Sequence, residues 1–478
     1  MPKLSNQLIA LICVSLAVIT YLINPFALAP DANKVIAFAV LMISLWVTEA
    51  IPMPVVALLP LILFPLFNIA PIDTTAASYA NPVIFLFMGG FMLGLAIQKW
   101  NLHRRIALNI VQVTGTSGDR IILGFIISTG LISMWLSNTA TTMMMFPIAL
   151  SVVQVIRENH ANQKGVANFS VAIMIGIALA SNFGGIATII GTPPNVAFAA
   201  FINKKFDYQI SFFDWMKVGL PLSVLLLFIL YLVMVKWLYP NRMKADDSTT
   251  FLIKNEVTAL GKFSVAEKRV FVIFICTASL WITRELINKA SGLRLDDNMI
   301  ALIGAVALFI TPSGKMGTAL LEWSDTKNMA WGILLLFGGG IALATALEKA
   351  GLIQQLGQWF AQFAFSQLAL IFLVTFISLF ISEVMSNVAQ VIVFAPVVAS
   401  LAAAANVHPL ILGIPMTLAA SCASMLPMGT PPNAIAFSSG YIKLKQMTKV
   451  GFVMNIVSII LITLFCWLLL PLIFPQNI

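Results

Sequence analysis

The chain has 478 residues, of which 60% are hydrophobic and only 9% are charged, with a formal net charge of +9. Soluble globular domains carry about 25% charged residues, so this composition excludes a soluble protein and predicts an all-α polytopic membrane protein. An excess of Lys and Arg is typical of cytoplasmic membrane loops, and no basic tract interleaved with aromatic residues suggests a nucleic acid partner.

Apolar segments of near-membrane length follow one another from one end of the chain to the other. In chain order they fall at about 7–29, 34–50, 52–70, 82–100, 119–136, 139–157, 166–203, 215–240, 266–289, 298–311, 329–349, 366–384, 387–405, 408–440 and 449–474. An α-helix needs roughly 20 apolar residues to cross the hydrocarbon layer. The first segment is long for a secretory signal, so we expect it to remain as a transmembrane helix.

Two neighbouring pairs of segments are too short and interrupted to be independent spans. Ser137-Asn138 separates the segments of the first pair, and Ser386-Asn387 separates those of the second. Non-helical backbone at membrane depth is tolerated only inside protein or beside water, so the pairs predict re-entrant hairpins at 119–157 and 366–405. With each hairpin counted apart, about 11 transmembrane helices remain.

Three motifs of the first half recur in the same order in the second half. They are Gly89-Gly90 with Gly339-Gly340, Ser137-Asn138-Thr139-Ala140 with Ser386-Asn387-Val388-Ala389, and Gly191-Thr192-Pro193-Pro194-Asn195 with Gly429-Thr430-Pro431-Pro432-Asn433. Each copy holds an odd number of spans, so the second copy enters the membrane inverted, as in many transporters. The predicted organisation is a helix outside the repeat (1–33), a first inverted repeat (34–240), a cytoplasmic linker (241–265) and a second inverted repeat (266–478).

The distribution of positive charge predicts the orientation of the chain. With the N-terminus in the cytoplasm, most of the 27 Lys and Arg residues fall on the inner side of the membrane. This bias agrees with the positive-inside rule. We therefore expect a multi-pass protein of the cell inner membrane with a cytoplasmic N-terminus and an external C-terminus.

The Ser-Asn and Thr-Pro-Pro sequences mark positions where new helices begin, since Ser and Asn are good N-caps and Pro suits the first helical turn. Helix starts present free N–H groups and partial positive charge, so converging starts predict a site for an anion with two carboxylates. Carbonyls released at helix breaks, together with Ser and Asn oxygens, suit Na⁺, which offsets carboxylate charge in a low dielectric. The alternative is that these side chains only join helices through hydrogen bonds.

Two further features of the sequence are candidates for buried contacts. Glu383 lies at membrane depth just before the second Ser-Asn, where charges are functional candidates by default. Two interpretations stay open for it: ion coupling, and a hydrogen-bonding role that shapes the hairpin. The Gly89-Gly90 and Gly339-Gly340 pairs favour close helix packing over ligand contact.

The paired motifs resemble those of the divalent anion/sodium symporter family. The likeness to its sodium-coupled dicarboxylate members is carried by residues 46–52, 81–82, 100–105, 133–135 and 137–141. It implies a homodimer in which a scaffold domain holds a transport domain that moves as an elevator. It also implies two Na⁺ sites: Ser133, Ser137, Asn138 and Gly191 form the first, and Ser382, Asn387 and Gly429 form the second.

The same resemblance, together with the helix starts, implies a substrate site shared by the two halves. Its residues would be Ser137, Asn138, Thr139, Thr192, Pro193, Ser386, Asn387, Val388, Thr430 and Pro431. Val388 departs from the family pattern, which usually has Thr at this position. Either the second carboxylate has fewer donors or a different substrate shape is accepted.

The expected function is Na⁺-coupled symport of a C4-dicarboxylate such as succinate, malate or fumarate by an elevator mechanism. The alternative is a di- or tricarboxylate exchanger, for example citrate or tartrate against succinate, without Na⁺ coupling. An enzyme is not expected, because no His lies near either Ser-Asn sequence to serve as a base. The expected partners are a small carboxylate anion, sodium ions, membrane lipid and a second copy of the chain.

Overall fold

The computed structural model describes residues 5–159, 163–241, 243, 247–352, 355 and 366–474. Over this part of the chain the elements are helices, with no β-strand and one isolated bridge between Pro312 and Ala319. Some residues of each predicted region, including 242 and 244–246 of the linker, lie outside the described residues. The predicted all-α polytopic fold is confirmed.

The helices of the first half precede the linker helix. They are α1 (Asn6–Ile23), α2 (Pro30–Thr48), α3 (Met53–Val56), α4 (Leu59–Leu66), α5 (Ile72–Ala77), α6 (Pro82–Lys99), α7 (Leu102–Thr114), α8 (Gly118–Ser133), α9 (Asn138–Asn159), α10 (Gln163–Gly185), α11 (Pro193–Phe206) and α12 (Phe212–Leu232). A π-helical turn, Val233–Leu238, extends α12, and a 3₁₀ turn, Ser78–Ala80, follows α5.

The second half follows the linker helix. From the linker onward the helices are α13 (Asp247–Ala259) in the linker, then α14 (Val265–Ser291), α15 (Asp297–Ile310), α16 (Trp331–Lys349), α17 (Gln367–Ser382), α18 (Asn387–Ala404), α19 (Pro409–Ala420), α20 (Pro431–Phe437) and α21 (Leu444–Ile473). Capping side chains fix several starts: Ser264 and Glu267 form a capping box at α14, and Asp296 accepts from the Met299 N–H at α15.

Ten helices in the described part of the chain are long and apolar enough to cross a membrane. Four shorter apolar helices occupy Met53–Leu66, Asp297–Ile310, Gln367–Ser382 and Pro409–Ala420. Length alone does not separate the second arm of a hairpin from a full span, since Asn138–Glu158 and Asn387–Ala404 are among the ten. The count of eleven transmembrane helices therefore stays a prediction.

Each predicted hairpin is a pair of helices joined by a short turn. In the first, α8 ends at Ser133 and α9 begins at Asn138; in the second, α17 ends at Ser382 and α18 begins at Asn387. The helix that follows packs against both arms in each half, α10 against α8 and α9, and α19 against α17 and α18. Matching sequence motifs thus lead to matching packing.

The two halves interlock through the helices that follow the Thr-Pro-Pro sequences. In the first half α11 packs against α18, an arm of the second hairpin. In the second half α20 packs against α9, an arm of the first hairpin. Each helix break therefore lies beside the hairpin of the other half.

The helix breaks are longer than the sequence motifs suggest. The helix α10 ends at Gly185, well before the predicted break at Gly191, and α19 ends at Ala420, before Gly429. Gly184 packs directly on the Gly130 backbone, where a Cβ would lie 2.3 Å from the carbonyl oxygen. This close approach leaves no room for a side chain at position 184, one residue before α10 ends.

The glycine pairs pack helices closely, as predicted. A Cβ on Gly89 would lie 2.7 Å from the Ala301 backbone of α15, and one on Gly339 would lie 2.5 Å from the Ala57 carbonyl oxygen. Such distances leave no room for a side chain. These contacts hold α6 and α16 closely against their neighbours.

The predicted linker contains the helix α13, and side chains of α7 bind it. Arg104 pairs with Glu256 at 2.5 Å, and Arg105 pairs with Glu267 at 2.8 Å while donating to carbonyls of the α13–α14 connection. Burial lowers the pKa of the adjacent His103 imidazole below its ordinary value. The sequence had suggested neither helix, because both are polar and short.

Candidate functional site

Three oxygen atoms converge where the first hairpin turns. The Ser133 hydroxyl, which is fully buried, lies 2.8 Å from Asn138 Oδ1 and 2.8 Å from the carbonyl oxygen of Ser181. A hydroxyl carries one proton and can donate to only one of the two acceptors. The cluster therefore has more oxygen lone pairs than protons to satisfy them.

The same arrangement recurs where the second hairpin turns. The Ser382 hydroxyl lies 2.6 Å from Asn387 Oδ1 and 2.5 Å from the carbonyl oxygen of Ala420. Each cluster unites a serine at the end of one arm, the asparagine that begins the other, and a carbonyl of the next helix. We call them the first and the second oxygen cluster.

The Asn that closes each Gly-Thr-Pro-Pro-Asn motif binds carbonyls released by the break. The Asn195 amide donates to the Thr188 carbonyl at 2.8 Å and reaches that of Gly185 at 3.5 Å. In the second half Asn433 donates to the carbonyls of Leu426 at 3.1 Å and Ala423 at 3.4 Å. Both asparagines are fully buried, and they were absent from the predicted site.

Backbone oxygens surround Gly191, the glycine of the first helix break. A Cβ there would lie 2.4 Å from the Gly185 carbonyl oxygen and 3.0 Å from that of Met134. The Gly191 N–H itself donates to Thr188 Oγ1 at 3.0 Å. Only glycine leaves this oxygen-rich space open, which supports its predicted place near the first oxygen cluster.

The helix starts are capped as predicted at two of the four positions. Ser137 Oγ accepts from the Ala140 N–H, and Thr430 Oγ1 accepts from the Asn433 N–H, each at 3.3 Å. Thr192 and Ser386 occupy N-cap positions without a side-chain cap bond. Pro193 and Pro431 are the first residues of α11 and α20 as expected, although α20 has only 7 residues.

A residue outside the prediction joins the halves. Asn182, fully buried in α10, donates to Thr430 Oγ1 at 3.1 Å and reaches Asn433 Oδ1 at 3.4 Å. Its own oxygen accepts from Asn138 Nδ2 at 3.4 Å. The first hairpin turn is thereby linked to the second helix break.

A small cavity of about 100 Å³ opens beside the first hairpin turn. Ser137 and Ala140 form one wall, and Ile190 of the first break contributes to it. Residues of α6, including Gln98, and residues 328–330 before α16 also line it. Polar side chains of Ser137, Gln98 and Asn328 line the cavity.

The remaining predicted residues lie at or next to these turns. Thr139 and Val388 are half-buried at the second positions of α9 and α18, and Val388 packs against the apolar core. Thr192 is buried, Pro193 is half-buried and Pro431 is exposed. In the described part of the chain, no group of three or more His, Cys, Asp or Glu side chains is arranged to hold a metal ion.

Known proteins resemble this chain along its whole length. The family model described as the sodium:sulfate symporter transmembrane region matches residues 3–473. The sodium-dependent dicarboxylate transporter SdcS of Staphylococcus saprophyticus is 39% identical over 476 residues, which cover 98% of this chain and 92% of that protein. SdcS of Staphylococcus aureus strain USA300 is 38% identical over 487 residues, which cover 100% of this chain and 94% of that protein.

Solved structures share the fold at much lower sequence identity. The YdaH transporter of Alcanivorax borkumensis superposes with a TM-score of 0.54 and 11% identity over 84% of this chain and 88% of that one. MtrF of Neisseria gonorrhoeae gives a TM-score of 0.56 and 14% identity over 84% of each chain. At these identities the likeness shows the fold alone.

Proposed function

The chain belongs to the sodium:sulfate symporter family of membrane transporters, and we propose that it couples inward Na⁺ movement to uptake of a C4-dicarboxylate. Succinate, malate and fumarate are the expected substrates. As a member of a transporter family, the chain is not an enzyme. The dicarboxylate specificity and sodium dependence of the two SdcS relatives, as their names state them, support this choice.

The main observation behind the proposal is that each oxygen cluster has a single hydroxyl proton for its three oxygen atoms. Na⁺ is a hard cation that takes oxygen ligands at about 2.4 Å. In each cluster a serine, an asparagine and a backbone carbonyl would supply such ligands. The first Na⁺ would bind Ser133, Ser137, Asn138 and Gly191. The second would bind Ser382, Asn387 and Gly429.

The carboxylates would lie beside the two bound cations. Ser137, Asn138 and Thr139 face the first carboxylate from the start of α9, and Ser386 and Asn387 face the second from the start of α18. The partial positive charge of these helix starts favours an anion. Thr192, Pro193, Thr430 and Pro431 complete the proposed site, together with Val388.

Coupling follows from electrostatics in this proposal. A dicarboxylate carries two negative charges, and transfer of uncompensated charge into a low-dielectric site is costly. Two neighbouring Na⁺ ions offset that charge, so substrate binds strongly only after the cations. We propose that the matched halves are inverted repeats. The family resemblance further implies an elevator motion of the hairpin-bearing domain against a scaffold, and a homodimer held by the scaffold.

Uptake into proteoliposomes without internal substrate tests the proposal. Radiolabelled succinate should accumulate when NaCl is outside and KCl inside, and should not accumulate with KCl on both sides. Uptake that requires internal dicarboxylate and is equal in Na⁺ and K⁺ would establish the exchanger instead. Competition by malate, fumarate, citrate, tartrate and sulfate then defines the substrate class.

A further inference from the structure

The carboxylate of Glu383 is buried at the turn of the second hairpin. The residue follows Ser382 of the second oxygen cluster directly, and only 4% of its surface is exposed. A buried charge is costly unless hydrogen bonds compensate it. The arrangement of its hydrogen bonds therefore decides between the two interpretations left open by the sequence.

Among the described residues, every hydrogen bond to this carboxylate comes from an N–H donor. Oε1 accepts from the backbone N–H groups of Ser424 at 2.8 Å and Met425 at 2.9 Å, and from Asn455 Nδ2 at 2.7 Å. Oε2 accepts from the N–H groups of Met425 and Leu426, each at 3.1 Å. Successive backbone N–H groups that converge on an anion form a nest.

The corresponding part of the first half is held by neutral groups. Met134, which follows Ser133 as Glu383 follows Ser382, offers only its backbone carbonyl, which accepts from Thr188 Oγ1 at 2.5 Å. The Trp215 indole of α12 donates to the Ile186 carbonyl at 3.0 Å. Glu383 thus gives the second half a set of hydrogen bonds to a carboxylate, which Met134 cannot form at the corresponding position of the first half.

The Glu383 carboxylate and its hydrogen bonds lie next to the proposed second Na⁺ site. A Cβ on Gly429 would be 3.2 Å from Glu383 Oε2 and 3.5 Å from the Glu383 carbonyl oxygen. The segment 424–426 connects Ala420, whose carbonyl belongs to the second oxygen cluster, to Gly429. Its position therefore sets the spacing of the proposed ligands on both sides of it.

We propose that Glu383 is a positioning residue that fixes segment 424–426 for Na⁺ binding at the second site. The inference rests on the proposed Na⁺-coupled function. Glu383 does not itself bind the cation, because both of its oxygens accept from N–H groups. Asn455 of α21 donates to the same carboxylate, so Glu383 also connects the segment to the last helix.

The test compares Glu383→Gln with the wild-type protein. Glutamine keeps one acceptor oxygen but replaces the other with an NH2 group, which cannot accept from a backbone N–H such as that of Leu426, so segment 424–426 loosens. The Na⁺ concentration for half-maximal succinate uptake should rise about tenfold, since charge-assisted hydrogen bonds are among the stronger ones. The maximal rate at saturating Na⁺ should fall less than about threefold. Glu285→Gln, at an exposed position on α14, is the matched control and should change neither quantity.

Amide hydrogen exchange supplies a second readout that does not depend on transport. Exchange at 424–426 should accelerate in Glu383→Gln, while exchange at 186–190 in the first half stays as in the wild type. Asn455→Ala, which removes one donor, should shift both quantities in the same direction by a smaller factor. This variant carries the test if Glu383→Gln does not fold.

Two outcomes would overturn the inference. Wild-type Na⁺ dependence together with wild-type exchange in both variants would show that the hydrogen bonds of Glu383 are not needed to hold segment 424–426. Complete loss of uptake with unchanged exchange would instead indicate a direct role in ion or proton transfer. If wild-type uptake needs no Na⁺, the proposed function fails, and the exchange data alone still decide whether Glu383 holds the segment.

Discussion

The side chain of Asn182 donates to Thr430 Oγ1 at 3.1 Å and so connects the first half of the chain to the second. Asn182 belongs to α10, next to the Ser181 carbonyl of the first oxygen cluster, and Thr430 begins α20. The second half offers no such amide: Ser421, which follows Ala420, has a buried hydroxyl without a hydrogen-bond partner among the described residues. This amide hydrogen bond between the halves therefore has no counterpart at Ser421.

A double-mutant cycle tests whether this bond joins the two halves energetically. We expect Asn182→Ala and Thr430→Ala to be non-additive in the half-saturating succinate concentration by on the order of fivefold, since contacting polar pairs couple by about 1 kcal/mol. The control cycle pairs Thr430→Ala with Asn109→Ala, at an exposed position on α7. Additive effects in the Asn182 cycle would mean that the bond carries no coupling.

Removal of either hairpin asparagine should stop transport. Asn138→Ala and Asn387→Ala each delete an oxygen from a cluster and a group from the proposed substrate site. We expect Na⁺-driven succinate uptake to fall by on the order of a hundredfold, with membrane abundance unchanged. Abundance is measured by quantitative immunoblot of membranes, and Asn109→Ala again serves as control. Uptake like that of the wild type in both variants would remove the site assignment.

The hydroxyls of the oxygen clusters should matter for Na⁺ more than for substrate. Ser133→Ala and Ser382→Ala each leave two acceptor oxygens facing each other without a donor. We expect the half-saturating Na⁺ concentration to rise by on the order of tenfold in each variant. Ser128→Ala is the control, because Ser128 is equally buried on α8 and bonds only within its own helix. Equal shifts in all three variants would indicate general destabilisation.

A hydroxyl at position 388 should strengthen dicarboxylate binding. Val388→Thr keeps the shape of the side chain and adds a donor at the start of α18. We expect the half-saturating succinate concentration to fall by about threefold, as one hydrogen bond of modest strength gives. Val393→Thr makes the same change at another half-buried position of α18 and should not strengthen binding. A weaker affinity in Val388→Thr would indicate that the apolar side chain itself is selected for the substrate.

The sequence predicted the repeated elements because short motifs with strong local chemistry define them. Ser-Asn and Thr-Pro-Pro specify helix starts through capping and through the restricted backbone of Pro, and these starts are where the motifs predicted them. The close approach of the glycine pairs was also predictable, since a missing side chain has few other uses at helix contacts.

Residues whose roles depend on long-range contacts could not be predicted in the same way. Asn182 follows a serine, but Ser-Asn inside a long apolar helix gives no sign of a partner in the other half. Asn195 and Asn433 were visible in the motifs, yet their carbonyl partners depend on how far α10 and α19 unwind. The sequence predicted that the Glu383 carboxylate is buried. It did not predict the donors, because every residue except Pro has a backbone N–H and the sequence does not show which of them lie near Glu383.

A structure of the protein determined with Na⁺ and succinate tests the central claim most directly. Bound Na⁺ should separate the cluster oxygens, so that Ser133 Oγ and Asn138 Oδ1 move from 2.8 Å to about 3.4 Å apart, with matching density in the second cluster. Succinate should lie between the starts of α9 and α18. Clusters that keep their short contacts without cation density, with succinate bound elsewhere, would contradict the account.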